Sequence, residues 1–263
     1  MTISVSSTQP DHSNGGPPLV FVHGAWHAGW CWDPFVGFFT ELGYHTHALD
    51  LQGHGDSPGN LRWSRISDYV GNVAEVVASL DTAPVLVGHS MGGLIVQHYL
   101  AANGVRAGVL VAPVPTRGAI GATWRAARRH PLAFLRSNLT FSLGPMVDDP
   151  DRAAGLLFGP NADPGVVAAT VERLGSESYP AYLDMIFRRP KPQLVTDPVL
   201  VLGATEDALF SVAEIRATAK RYGTEAVLFD GMGHDMMLDA GWQEPAQVVA
   251  DWLAGLPDAD PGR

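Results

Sequence analysis

The chain has one cysteine, Cys31, in 263 residues, so no internal disulfide can form and a Cys-x-x-Cys metal or redox site is excluded. Lysine is almost as scarce, occurring only at Lys191 and Lys220. Charged residues make up 17% of the chain, against about 25% in ordinary soluble domains, while hydrophobic residues reach 46%. That low charge excludes a disordered or coiled-coil protein. The net charge is −10, and phosphate binding needs clustered Lys and Arg, so no nucleic-acid partner is expected. No stretch approaches the ~20 apolar residues that span a bilayer. Residues 2–10 lack both the basic start and the apolar run of a signal peptide. A soluble, cytoplasmic protein without a membrane span is the expectation.

What the chain does have is alternation. Short apolar runs of the kind found in buried parallel strands occur at Leu19 to Val22, Tyr44 to Leu51, Val85 to Val87, Ala107 to Ala112, Val199 to Leu202 and Ala226 to Phe229. Helix-period stretches lie between most of them. Ile66, Tyr69, Val70, Val73, Val76, Val77 and Leu80 follow the i, i+3, i+4, i+7 stripe, and Trp242 to Leu256 reads as a closing helix. The alternation predicts a mostly parallel sheet of about six strands flanked by helices, an α/β fold. Residues 1–17, rich in Ser, Asn, Gly and Pro, read as a flexible lead-in, and 258–263 as a flexible tail. Residues 18–113 and 197–257 form the expected core. Residues 114–196 contain no convincing strand and read as a helical cap, or lid, over the carboxyl ends of the strands. Asp163 before Pro164 has the pattern of an N-cap followed by proline at the first helical position.

The residues that carry chemistry sit at strand ends. Gly88-His89-Ser90-Met91-Gly92 is G-x-S-x-G between an apolar strand and a helix. A serine on so sharp a turn leaves no room for side chains two positions either side, and the helix N-terminus behind it favours developing negative charge. A serine hydroxyl needs a base. Of ten histidines, His234 in Gly231-Met232-Gly233-His234 follows the run Ala226 to Phe229, on the same sheet edge as Ser90. The carboxylate that fixes the imidazole is expected at another strand end. Asp207 fits, with Glu206 its neighbouring competitor and Asp230 a weaker one. The oxyanion donors are expected to be the backbone N–H groups of Met91 and Ala25, with Trp26 the alternative to Ala25. Trp26, His27, Trp30, Trp124 and Tyr182 are candidates for a substrate pocket, plain packing being the alternative for His27 and Trp30. His45 and His47 share a strand face but have no third ligand, so no metal is expected, and nothing in the constellation calls for a cofactor.

Together these segments make the chain resemble an α/β-hydrolase from Leu19 to about Leu256. The matching motifs, in order, are His23-Gly24, Asp50-Leu51-Gln52-Gly53-His54-Gly55-Asp56-Ser57, Gly88 to Gly93, the loop at Asp207 and Gly233-His234. The order Ser, Asp, His is that of the superfamily. The stretch His23 to Trp32 is similar to the branch of plant methylesterases and hydroxynitrile lyases. Lyases of that branch resemble one another in placing a lysine after the catalytic histidine, whereas Asp235 follows His234 here. The resemblance therefore implies a serine hydrolase acting on a carboxylic ester, thioester or lactone of a small hydrophobic substrate. C–C bond hydrolysis or lysis on the same triad, and a ligand-binding receptor on the same fold, are the alternatives.

Overall fold

The computed structural model describes residues 2–257, and the tail expected at 258–263 lies outside the described residues. In chain order the principal elements are β1 (Val5–Thr8), β2 (Leu19–Val22), α1 (Asp33–Glu41), β3 (Thr46–Leu49), α2 (Ile66–Ala78), β4 (Val85–His89), α3 (Met91–Leu100) and β5 (Ala107–Val111). Next come five helices, α4 (Ile120–Arg129), α5 (Pro131–Thr140), α6 (Pro150–Leu157), α7 (Pro164–Arg173) and α8 (Tyr179–Phe187). The chain then returns to the sheet through β6 (Val199–Ala204), α9 (Val212–Arg221), β7 (Ala226–Phe229) and α10 (Gln243–Ala254).

Among the described residues the strands form one sheet in the order β1-β3-β2-β4-β5-β6-β7, parallel throughout except where β1 runs against β3. Side chains alternate across a strand. Leu19 and Phe21 therefore pack with Trp32, Phe35 and Phe39, and Val20 and Val22 with Val73, Val76 and Leu94 on the other face. Both faces are covered, which is why the central strands read as unbroken apolar runs.

The sheet has seven strands, not about six, and the seventh corrects the reading of residues 1–17 as a flexible lead-in. Val5-Ser6-Ser7-Thr8 pairs with β3 from Val5 opposite Leu49 to Thr8 opposite Thr46, and His47 Nδ1 lies 2.8 Å from the Ser7 hydroxyl. An edge strand needs only one partner and no continuous apolar face, so this mostly polar segment carried no strand-like hydrophobic pattern.

The helices between β5 and β6 are tied to the rest by buried polar contacts. Glu177, just before α8, accepts from the Tyr69 hydroxyl at 2.9 Å and bonds His54 Nε2 at 2.9 Å. The Ser178 hydroxyl donates to the Ser64 carbonyl at 2.6 Å, and Arg65 Nε to Asp184 at 2.9 Å. Burial pushes His54 down, but the Glu177 carboxylate more than offsets it and the net direction is up. Asp163 caps α7 through the N–H groups of Gly165 and Val166. No helix of the described residues is long and apolar enough to cross a membrane.

Candidate active site

Four loops meet at the carboxyl edge of the sheet, those after β2, β4, β6 and β7, where open parallel sheets place their ligand sites. The loop after β4 is the tightest. Ser90 stands at φ +53°, ψ −114°, a region closed to most L-residues, and such strain persists only where the surroundings enforce it. The flanking glycines allow it. A Cβ at Gly88 would meet the Gly92 carbonyl oxygen at 2.5 Å, and one at Gly92 would overlap the carbonyl oxygen of Val22. Ser90 N–H donates to Val111 at 3.1 Å, and its carbonyl accepts from Val114 at 3.0 Å. The turn is thus held between β5 and the start of α3.

Asp207 and His234 come together from the loops after β6 and β7. His234 Nδ1–H donates to Asp207 Oδ2 at 2.8 Å, and Asp207 Oδ1 accepts from the N–H groups of Leu209 (2.7 Å) and Phe210 (2.9 Å). Three donors thus fix the carboxylate. Glu206 and Asp230 are exposed; Asp207 alone holds the imidazole. Burial pushes His234 down, but the charge and hydrogen bond of Asp207 more than offset it, and the net direction is up. The ring packs against Phe210 and His89, with centroids at 5.3 and 4.7 Å. Its Nε2 is buried and has no hydrogen-bond partner among the described residues.

His89 lies beneath that ring, its Nε2–H donating to the His234 carbonyl at 3.0 Å. Burial, reinforced by His234, lowers its pKa to about 3, so it is neutral at physiological pH. Asp235 lies on the far side. Its Oδ2 is 2.9 Å from His27 Nε2, and His27 Nδ1–H donates to the Ala25 carbonyl at 2.8 Å. Burial pushes Asp235 up, but His27, His89 and His234 together bring its carboxyl below the usual range. His89, His234 and Asp235 offer donor atoms within 4.8 Å of one another. His89 Nε2 and His234 Nδ1 are hydrogen-bonded elsewhere, whereas His89 Nδ1, His234 Nε2 and Asp235 Oδ1 have no partner among the described residues.

The loop after β2 is equally constrained. His23 accepts the Leu51 N–H on Nε2 at 3.1 Å and donates from Nδ1 to Gly24 at 2.8 Å. This demands the neutral ring, and burial together with the neighbouring His54 holds His23 well below the ordinary histidine value. Trp26 adopts φ +68°. Its indole N–H donates to the Leu143 carbonyl at 3.1 Å, and its own carbonyl accepts from Gly175 at 2.8 Å. Outside the helices and strands, no backbone hydrogen bond is donated by the N–H groups of Ala25, of its alternative Trp26, or of Met91 among the described residues.

Ser90, Ala25, Trp26 and Phe210 open onto one narrow cavity of about 80 Å³. Val114, Phe134, Leu143, Met146, Leu156, Met185 and Leu209 complete most of its wall. Its few other polar groups are spent on each other, the Tyr182 hydroxyl donating to Thr123 at 3.1 Å. A larger, open groove between α6, α7 and residues 205–208 touches the outer side of Asp207 and does not include Ser90.

Two of the five pocket candidates, Trp26 and Tyr182, line this cavity. The other three are corrected. His27 is buried with both ring nitrogens engaged. Trp30 stacks under the Arg173 guanidinium at 4.3 Å, beside a separate polar groove. Trp124 is 64% exposed, because helical phase turns Ala122, Thr123 and Ala126 inward and Trp124 out. Sequence reasoning missed the Asp235–His27 pair; its one signal was a carboxylate next to Met236 and Met237, a buried apolar run.

The strand order, the strained serine turn and the Asp207–His234 pair are those of an α/β-hydrolase. The model of the alpha/beta hydrolase family matches residues 19–252, and the chain belongs to that family. Among curated relatives, (E)-2-((N-methylformamido)methylene)succinate hydrolase of Acinetobacter baylyi is 35% identical over 98 residues, 36% of this chain and 37% of that protein. Protein phosphatase methylesterase 1 of Mus musculus is 36% identical over 94 residues, 34% of this chain and 24% of that protein. These alignments span little more than a third of the relatives' length at most. The fold is shared with the monoacylglycerol lipase of Paleococcus ferrophilus (TM-score 0.76, 21% identity, 98% of this chain and 100% of that one). It is also shared with an esterase from Exiguobacterium antarcticum (TM-score 0.75, 16% identity, 96% of each chain).

Proposed function

We propose that the protein is a serine hydrolase that cleaves a carboxylic ester, thioester or lactone of a small hydrophobic substrate through an acyl-enzyme. The observation that carries this reading is His234 Nε2. It is buried and unbonded, to Ser90 as to every other described group, on a ring oriented by Asp207 and packed against Phe210, which lines the apolar cavity onto which Ser90 opens.

The Ser90 hydroxyl attacks the carbonyl carbon while its proton passes to His234 Nε2. The tetrahedral oxyanion takes hydrogen bonds from the free N–H groups of Met91 and Ala25, at the start of α3 where the helix dipole adds to them. The bond to the leaving oxygen or sulfur breaks, and the imidazolium gives that atom its proton. Water, deprotonated by His234, then attacks the acyl carbon and Ser90 leaves with the returned proton. Asp207 stays ionised and holds the tautomer that keeps Nε2 free. The aliphatic and aromatic wall binds the acyl or alcohol group by excluding water, at about 25 cal/mol per Å² buried.

The test is hydrolysis of p-nitrophenyl esters of increasing acyl length, with Ser90→Ala as control. Turnover that rises with acyl length up to the reach of the cavity and vanishes in Ser90→Ala supports the proposal. Turnover that persists in Ser90→Ala overturns it.

A further inference from the structure

Charge and exposed apolar area are distributed in an unusual way over the cap. Residues 114–147 contain five arginines, Arg117, Arg125, Arg128, Arg129 and Arg136, and not one Asp or Glu, in a chain whose net charge is −10. Four of the five are exposed, Arg136 among them with Asp148 at 3.1 Å; Arg125 is tied to Glu214 and the Leu209 carbonyl. Arg188, Arg189 and Lys191, also exposed, follow α8 directly.

The same elements carry most of the large exposed apolar side chains of the described residues. Leu132, Leu135 and Leu139 stand at i, i+3, i+7 on α5, 77%, 54% and 70% exposed. Ile120 and Trp124 stand at i, i+4 on α4, Leu183 and Phe187 at i, i+4 on α8, and Phe141 follows α5. These helices are joined side by side. Tyr182 bonds Thr123, Tyr179 bonds Asn138 at 2.7 Å, and Phe141 packs edge-on against Tyr179 at 5.4 Å. Their inner sides supply Ala122, Thr123, Phe134 and Tyr182 to the cavity, so the outer side is a second, separate apolar face. Monomeric proteins rarely leave such a face bare, and one rimmed by polar residues marks an interaction site.

The rim selects the partner. A Trp, Phe and Leu surface edged by arginine matches an anionic bilayer, where apolar groups enter the acyl boundary and the cations meet the headgroups. A symmetric pair of copies would press two arginine-rich faces together, on which Asp148 beside Arg136 and the buried Asp184 beside Arg188 offset only part of the charge, and like-charge repulsion disfavours that. We infer that the outer face of α4, α5 and α8 docks reversibly on an anionic phospholipid surface.

The test is co-sedimentation of the full chain with phosphatidylglycerol/phosphatidylcholine vesicles and with pure phosphatidylcholine vesicles, at low and high salt. The expected result is binding to the anionic vesicles that weakens with salt. Arg128→Glu/Arg129→Glu should lower that partition about tenfold or more, and Leu132→Ser/Leu139→Ser comparably, with circular dichroism and melting unchanged. Equal binding to both vesicle types, or binding untouched by both double variants, overturns the inference. So does a concentration-dependent dimer, seen by analytical ultracentrifugation, that Leu132→Ser/Leu139→Ser dissolves, because the face would then belong to a second copy.

Discussion

Two buried carboxylate–imidazole pairs lie side by side at the carboxyl edge of the sheet, contributed in part by consecutive residues. His234 meets Asp207 at 2.8 Å, and Asp235 meets His27 at 2.9 Å. They differ at the other nitrogen. His234 Nε2 has no partner, whereas His27 Nδ1 is 2.8 Å from the Ala25 carbonyl. In the proposed mechanism the first pair holds the base, and the second spends both nitrogens on joining the histidine loop to the loop proposed to carry an oxyanion donor. The imidazole–carboxylate distance therefore does not separate the two pairs; the state of the second nitrogen does.

The largest effects should fall on the first pair. Ser90→Ala or His234→Ala is expected to lower kcat by about 10⁴-fold or more, and Asp207→Asn by a similar factor through the wrong tautomer. Ester turnover measures both. Asp207→Asn keeps an oxygen for the Leu209 and Phe210 N–H groups, so its melting temperature should change little.

Asp235→Ala should show the opposite balance. Removing one partner of a buried pair costs roughly 3–5 kcal/mol of stability, readable in urea unfolding. Turnover of the protein that remains folded should fall by only about 10- to 100-fold, through the displaced Ala25 loop. If Asp235→Ala lost activity as Asp207→Asn does, without loss of stability, the distinction between the pairs would collapse.

The pH profile sharpens the contrast. His234 must be neutral to accept the Ser90 proton, and its pKa is raised above the ordinary 6.5. Activity should therefore climb with pH through a midpoint above that value. Asp207→Asn removes the charge that raises it, so the midpoint of its residual activity should move down. His89, near 3, contributes no limb in this range.

The smallest effect concerns a third pair, His54 with Glu177, which joins the loop after β3 to the segment before α8. His54 is raised in the folded state. Its stabilisation is thus complete below the unfolded histidine value and lost as pH rises through the folded one. Urea midpoints at pH 6 and pH 9 should differ more in the wild type than in Glu177→Gln.

What could be read from the sequence divides along the same lines. The central strands announce themselves because both of their faces are buried, the edge strand β7 because its residues are all apolar, and Ser90, Asp207 and His234 are legible because each follows an apolar run at the same sheet edge. β1 is silent because Ser6 and Ser7 bury little, and its pairing with β3 depends on residues about forty positions away. The Asp235–His27 pair spans 208 residues, and a histidine beside tryptophans reads as pocket lining. Trp124 was misplaced for a different reason: bulk suggests burial, but its position on α4 is one residue past the inward-facing Thr123.

The most direct test of Ser90 as nucleophile is labelling with a fluorophosphonate probe followed by peptide mass spectrometry. The account predicts one adduct, on the peptide bearing Ser90, with ester turnover lost in proportion to labelling and no adduct in Ser90→Ala. Full turnover by protein whose Ser90 is completely labelled would contradict it.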